Sequence, residues 1–419
     1  MLGVAVVRQR VARSAGLLVA AVLVTAGGQP ATVPTSLTPT TTSATAPATD
    51  LPSSGPAAAG ADAALEPARP GGHGVGFRTV TITDDARHRA LVTSIWYPTR
   101  SRLPAPSTAD AARAPGGGPT GDGITPARYE IAPEVSYPSR VAVAAAPPEA
   151  GPFPLVVFSH GSAGSRLQFA SLAEALASRG YVVAAPDHPG DTMADVAAGH
   201  AEPLFALASD RPMDVSAVLD WMLCPGRPFA PILSAGKVAV VGFSFGGLTA
   251  VASSVGLLRA PPDPRVRVSV GISPASGPLP ASLLGRVRIP TLLIAGTADG
   301  VTPPGTNSDR TFRDLTSSPG RAEVVVTGAT HNSFSDLCDQ VYLTADGRVP
   351  AGIRLRMQLG ALLTCLPPLA DAALAQQVAR WYTVAYLERH LRGDTRYDRF
   401  LTPAAADALA LPLKVRSAA

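Results

Sequence analysis

The sequence predicts a doubly wound α/β fold: one mostly parallel sheet with helices on both faces, in a single catalytic-size domain. Three observations predict it. From Pro154 onward short, wholly apolar runs alternate with helix-compatible stretches, the pattern of strands buried on both faces by crossover helices. One run, Val238–Val241, enters Gly242-Phe-Ser244-Phe-Gly246 and then a small-residue helical segment. Two later runs end in polar loops carrying Asp299 and then His331, where open α/β sheets place their working residues.

The elements follow in order. Arg78–Thr83 alternates polar and apolar residues, and Leu91–Tyr97 before Pro98 supplies a hairpin partner. Residues 99–123 are rich in Pro, Gly and Ala and read as a surface insertion. Leu155–Phe158 is a buried strand, Phe169–Arg179 a helix stopped by Gly180, and Tyr181–Ala185 the next strand. Met213–Leu223 reads as a helix, Val238–Val241 as the central strand, Val266–Ile272 and Thr291–Ala295 as further strands, and Ala322–Thr327 as the last. Val378–Leu391 reads as a terminal amphipathic helix. This spacing sets a domain over residues 71–400, with folded structure starting near Gly74 and a tail at 401–419.

Ahead of that domain, Arg8, Arg10 and Arg13 precede the apolar run Ala15–Val24, and Val24-Thr-Ala26 offers small residues at a cleavage position. Residues 1–26 thus read as a signal peptide, too short in its apolar part to span a bilayer. Residues 27–70, rich in Ser, Thr, Pro and Ala, bury too little surface to offset ordering entropy and read as a disordered linker. The expected location is secreted or cell-envelope associated, with no membrane span after cleavage. Losing three arginines and no acids lowers the formal charge from +4 to +1, and no basic run remains, so nucleic-acid binding is not supported. Three cysteines in an oxidising setting leave one unpaired. The expected pair is Cys338–Cys365, with Cys224 a buried free thiol at a helix end.

The chemistry rests on Ser244, Asp299 and His331. Gly-x-Ser-x-Gly between a strand and a helix is a tight turn that displays the serine at its apex. A serine hydroxyl is a weak nucleophile until a hydrogen-bonded base, itself oriented by an acid, accepts its proton. His331 in Gly328-Ala-Thr-His-Asn-Ser-Phe334 is the base candidate, and Asp299 in Ile294-Ala-Gly-Thr-Ala-Asp-Gly300 the acid. An oxyanion needs two placed N–H donors; Phe245, just after the serine, and Ser162, in the Ser159-His-Gly-Ser-Ala-Gly164 loop, are the candidates. Asp187 rivals Asp299 but precedes the serine. His160 and His188 rival His331; His160 fits the oxyanion turn, and His188 reads as a pocket residue. His73, His88, His200 and His390 read as exposed or structural. Met193, Leu204 and Phe205 could line an acyl pocket, although apolar loop residues more often serve packing. Neither metal-ligand spacing nor a phosphate or dinucleotide loop stands out, so the expectation is no cofactor and no metal.

Several of these pieces occur together and in order: Val75-Gly-Phe-Arg78, Ile95-Trp-Tyr-Pro98, Phe158-Ser-His-Gly161, Asp187-His188, Arg211-Pro-Met-Asp214, Gly242-Phe-Ser-Phe-Gly246 and Thr330-His-Asn-Ser-Phe334. Over residues 74–395 the chain resembles the platelet-activating-factor acetylhydrolase and dienelactone-hydrolase-like branch of the α/β-hydrolases. The resemblance implies a Ser-Asp-His esterase of small acyl groups with oxyanion donors at Ser162 and Phe245. A dienelactone hydrolase proper carries cysteine where this chain has Ser244, so the likeness leaves the substrate open. The expected activity is hydrolysis of short or medium acyl esters, lipid acetyl esters included. Acyl transfer to a cell-envelope acceptor, polyester hydrolysis and a silent surface-binding module stand as alternatives.

Overall fold

A computed structural model describes residues 66–104, 124–345, 347–365, 370–408 and 412–418. The expectations for the signal peptide, for residues 27–65 and for the insertion beyond residue 104 lie outside these. The described residues build one 11-stranded sheet. Its strands are β1 (Gly74–Asp84), β2 (Arg89–Thr99), β3 (Pro126–Ala132), β4 (Val135–Ala144), β5 (Phe153–Ser159), β6 (Val182–Pro186), β7 (Leu233–Phe243), β8 (Val266–Ile272), β9 (Thr291–Gly296), β10 (Arg321–Val326) and β11 (Leu413–Ala418). The spatial order is β11-β10-β9-β8-β7-β5-β6-β2-β1-β4-β3. β6, β5, β7, β8, β9 and β10 run parallel; β2 joins β6 antiparallel, and β11 closes the far edge antiparallel to β10.

Alternation along the central strands sends side chains to two separate cores. Val156, Phe158, Ala239 and Val241 face α1 (Ala170–Ser178) and the helix over Ala372–Leu387. Leu155, Val157, Val238 and Val240 face Val215, Val218, Leu219 and Met222 of the helix over Leu204–Leu223. All eight strand residues are buried, the seven larger ones each contributing about 1.5–3 kcal/mol through removal from water and Ala239 less. Helices on both faces make the sheet doubly wound. Among the described residues no helix is long and apolar enough to cross a membrane.

The remaining helices are α2 (Met193–Ala198), α3 (Leu204–Leu223), α4 (Phe245–Val255), α5 (Ala281–Leu284), α6 (Ser308–Asp314), α7 (Leu337–Gln340), α8 (Ala351–Leu362), α9 (Ala372–Leu387) and α10 (Pro403–Ala408). α3 begins nine residues before the Met213 start expected from sequence, with Pro212 inside it. Proline interrupts the backbone ladder, but Leu207, Arg211, Val215 and Leu219 are buried along its length, and that packing carries the helix through. β3 and β4 were not foreseen because both contain proline and pair through bulges. The residues expected to be a tail beyond 400 instead supply α10 and the edge strand β11. Cys338 and Cys365 are disulfide-bonded, tying α7 to the segment just past α8. Cys224 is exposed rather than buried: the chain turns extended at that residue, ahead of Pro225 and Gly226, as α3 ends.

Candidate active site

β7 passes into α4 through Ser244, whose φ is +54°. A non-glycine residue held there stores about 1–3 kcal/mol of strain. The turn closes only with glycine on both sides. A Cβ at Gly242 would stand 2.0 Å from the Gly246 carbonyl oxygen, and one at Gly246 would stand 1.9 Å from that of Ser159. The Ser244 N–H donates to the Ile272 carbonyl at 2.9 Å, anchoring the turn to β8.

Two further loops meet this turn. His331, opening the short helical turn after β10, places Nε2 2.9 Å from Ser244 Oγ and Nδ1 2.9 Å from Asp299 Oδ2. The turn is preset by a capping box in which Thr330 and Ser333 satisfy each other's backbone N–H groups. Asp299, past β9, accepts from the Val301 and Thr302 N–H groups through Oδ1, at 2.9 and 2.7 Å. Thr302 Oγ1 donates to Oδ2 at 2.8 Å. Burial pushes the Asp299 carboxyl up, but the His331 ring and Thr302 outweigh burial and hold it below its ordinary 3.8. Asp299 is buried and Ser244 nearly so, while the His331 side chain keeps 12% exposure. The arrangement can pass a proton from hydroxyl to imidazole beside a fixed anion.

The donor positions lie alongside. Phe245 opens α4, so its N–H is among those a helix leaves without an intrahelical partner. The β5–α1 loop crosses next to it because Ser159 is in register with Gly242. A Cβ at Gly161 would lie 3.3 Å from Ser244 Cβ, so the loop runs against the serine. Ser162 then faces a cavity of about 260 Å³, walled also by Gln168, Met193, Asn332, Ser335, Ile353 and Met357.

Comparisons with known proteins agree with this architecture. The family described as platelet-activating factor acetylhydrolase, isoform II, matches residues 131–203, which hold the β5–α1 loop and His188 but stop short of Ser244. A platelet-activating factor acetylhydrolase of Cavia porcellus is 22% identical over 284 residues, 59% of this chain. The match spans 60% of that relative's length. Cutinase 2 of Thermobifida cellulosilytica is 25% identical over 265 residues, covering 63% of this chain and 78% of the relative. The solved structure of a ferulic acid esterase from Streptomyces cinnamoneus aligns with a TM-score of 0.55 at 26% identity, over 83% of this chain and 96% of that one. The chain has the α/β-hydrolase fold.

The rivals weighed from the sequence of this α/β-hydrolase lie elsewhere. Asp187 accepts from the Arg166 N–H and guanidinium, at 2.6 and 2.5 Å. His160 donates from Nδ1 to the Gly161 carbonyl at 2.7 Å, and its Nε2 accepts the His188 N–H at 3.1 Å, which shapes the turn. His188 does not line the pocket: its side chain is fully buried between Ser159 Oγ and Asp214 Oδ2, each 2.9 Å away. Burial, with the charges of Arg211, Arg89 and Arg87, holds it well below 6.5. Met193 walls the cavity, whereas Leu204 and Phe205 are 42% and 74% exposed at the start of α3 and are not among its walls. Sequence reading missed Thr302 and Gln168, whose Oε1 accepts the Gly161 N–H at 2.9 Å. Neither belongs to a motif; only the neighbouring Asp299 and the loop glycines pointed near them.

Proposed function

We propose that the chain is an exported serine carboxylic-ester hydrolase acting on short or medium acyl esters. The observation that carries this reading is the hydrogen-bonded series Asp299–His331–Ser244, at 2.9 Å per step, on a strained turn. In this mechanism Ser244 Oγ attacks the ester carbonyl while His331 Nε2 accepts its proton. The N–H groups of Ser162 and Phe245 hold the tetrahedral oxyanion. The oxyanion collapses, His331 returns the proton to the departing alcohol, and an acyl-enzyme on Ser244 remains. Water, deprotonated by His331, attacks that ester and frees the acid. Asp299 keeps Nδ1 protonated, so that Nε2 is the basic nitrogen.

The cavity at Ser162, about 260 Å³, has the apolar side chains of Met193, Ile353 and Met357 on its walls, a surface suited to an acyl group. Export is supported by the charged and apolar leader and by the Cys338–Cys365 bridge. The cutinase relatives favour a second reading, hydrolysis of a polyester surface; release of soluble acid from a polyester film tests it.

The deciding experiment is a p-nitrophenyl ester series from acetate to palmitate on the purified chain and on Ser244→Ala. Turnover lost in the variant, with an optimum at short or medium acyl length, supports the reading. Folded chain that neither turns over any ester nor reacts with a fluorophosphonate overturns it.

A further inference from the structure

The Arg211-Pro-Met-Asp214 segment stands out in the sequence yet supplies nothing to the Ser244–His331–Asp299 series. Arg211 is fully buried on α3, where a guanidinium is costly unless its charge and donors are paired; both Nη groups are paired, while Nε has no partner. Its partners all belong to the candidate oxyanion site or its support. Nη1 donates to Asp191 Oδ2 at 2.7 Å. Nη2 donates to Ser159 Oγ at 3.0 Å and to the His160 carbonyl. The guanidinium carbon stands 5.2 Å from the centre of the Phe245 ring.

Asp191 carries the connection onward. Its Oδ1 accepts the Ser162 hydroxyl at 2.7 Å and the Ala163 N–H at 3.1 Å. Ala163 has φ +53°, a conformation that an L-residue keeps only where its surroundings impose it. One buried arginine therefore grips the start of the β5–α1 loop, its centre through Asp191, and the ring of Phe245 across the turn. Such a fork has the rigid multi-donor geometry that lysine lacks.

We propose that Arg211 and Asp191 are positioning residues for the oxyanion hole, fixing the Ser162 N–H relative to that of Phe245. This rests on the hydrolase reading above. Neither side chain touches the substrate; each acts through the loop, so the effect falls on the transition state, where negative charge develops on the carbonyl oxygen, and not on ester binding.

The test compares Asp191→Asn, Arg211→Lys, Ser162→Ala and Ser162→Thr in the full chain. It measures kcat and KM on the best p-nitrophenyl ester, and affinity for a trifluoromethyl ketone of matching acyl length, whose hemiketal oxyanion occupies the same hole. Asp191→Asn and Arg211→Lys are expected to lower kcat about 10- to 100-fold, less than the roughly 10²–10³-fold loss on removing an oxyanion donor outright, with KM within about threefold. Ketone affinity should fall in parallel. Ser162→Ala, at an exposed position that leaves folding intact, should fall by about five- to tenfold, and Ser162→Thr should restore most of it. Combining Asp191→Asn with Arg211→Lys should be little worse than either alone, since both cut the same link. Wild-type kcat and ketone affinity in Ser162→Ala and Asp191→Asn would overturn the proposal, as would losses confined to KM or to the folded fraction. Those results leave an active wild-type esterase standing; a wild type that neither turns over esters nor captures a fluorophosphonate would sink the hydrolase reading, and this proposal with it.

Discussion

Among the described residues two Ser–His–Asp series share one geometry, and only the one at Ser244 reaches solvent. In both, imidazole Nε2 stands 2.9 Å from a serine Oγ and Nδ1 2.9 Å from an aspartate oxygen. Ser244 sits on a strained turn at a helix N-terminus, its histidine partly exposed. Ser159 ends strand β5 in a fully buried setting, with His188 and Asp214 equally sealed. Their charge environments differ as much. A general base must become a cation as it takes the proton. Arg211, Arg89 and Arg87 oppose that at His188, and Asp214 is already claimed by both Nε and Nη2 of Arg89, at 2.8 and 3.0 Å. The two series share their distances and differ in access, strain and charge, and those differences separate a candidate site from a buried structural tie.

The largest expected contrast is between the serines. Ser244→Ala should cut ester turnover by roughly 10⁵–10⁶-fold. Ser159→Ala should cut it by less than about 10-fold while destabilising by about 1–3 kcal/mol, through the donors left without a partner. Steady-state assays with urea unfolding read both, and comparable activity losses would erase the distinction. Next come the acids. Asp299→Asn should lower kcat about 10⁴-fold while costing less stability than Asp214→Asn. Asp214→Asn should destabilise by about 3–5 kcal/mol, the range for breaking a buried ion pair.

A smaller effect separates the regions by pH. Asp336, just past the His331 turn, is fully buried and accepts the Ser171 N–H and hydroxyl, at 2.9 and 2.5 Å. Burial, despite those donors, pushes its carboxyl up from 3.8 to about 7. The folded state then holds a proton that the unfolded chain releases, so this contribution is complete below about pH 4 and lost as pH rises to about 7. Wild-type stability should fall over that window by up to about 4 kcal/mol, and Asp336→Asn should flatten the curve in urea titrations. Asp299 should show the opposite and smaller trend. Its depressed value stabilises the fold above 3.8, so the stability gap between wild type and Asp299→Asn narrows as pH falls through that range.

Much of the fold was legible because the information is local. Leu155–Phe158 and Val238–Val241 are apolar without a break, and only a strand covered on both faces buries such a run. β11 was not legible: Leu413-Lys-Val-Arg-Ser-Ala418 alternates and is at most half-buried, so its place depends on β10 offering a free edge. The true start of α3 was hidden because Pro212 reads as a helix boundary, a preference that packing overrode. In the candidate site, Ser244, Asp299 and His331 stand on strand-end motifs visible in the sequence, whereas Thr302, Gln168 and Asp191 join it through contacts that no short motif carries.

By itself, then, the sequence determined the alternation of strands and helices and the turn at Ser244, because steric limits on Gly242 and Gly246 act within a few residues. Only the tertiary structure decided which histidine meets which serine, and which meeting stays open. Arg211 reaches Ser159 across 52 residues, and Ser244 reaches His331 across 87. Burial and charge at such points depend on what the rest of the chain packs around them, and neighbours in sequence do not encode that.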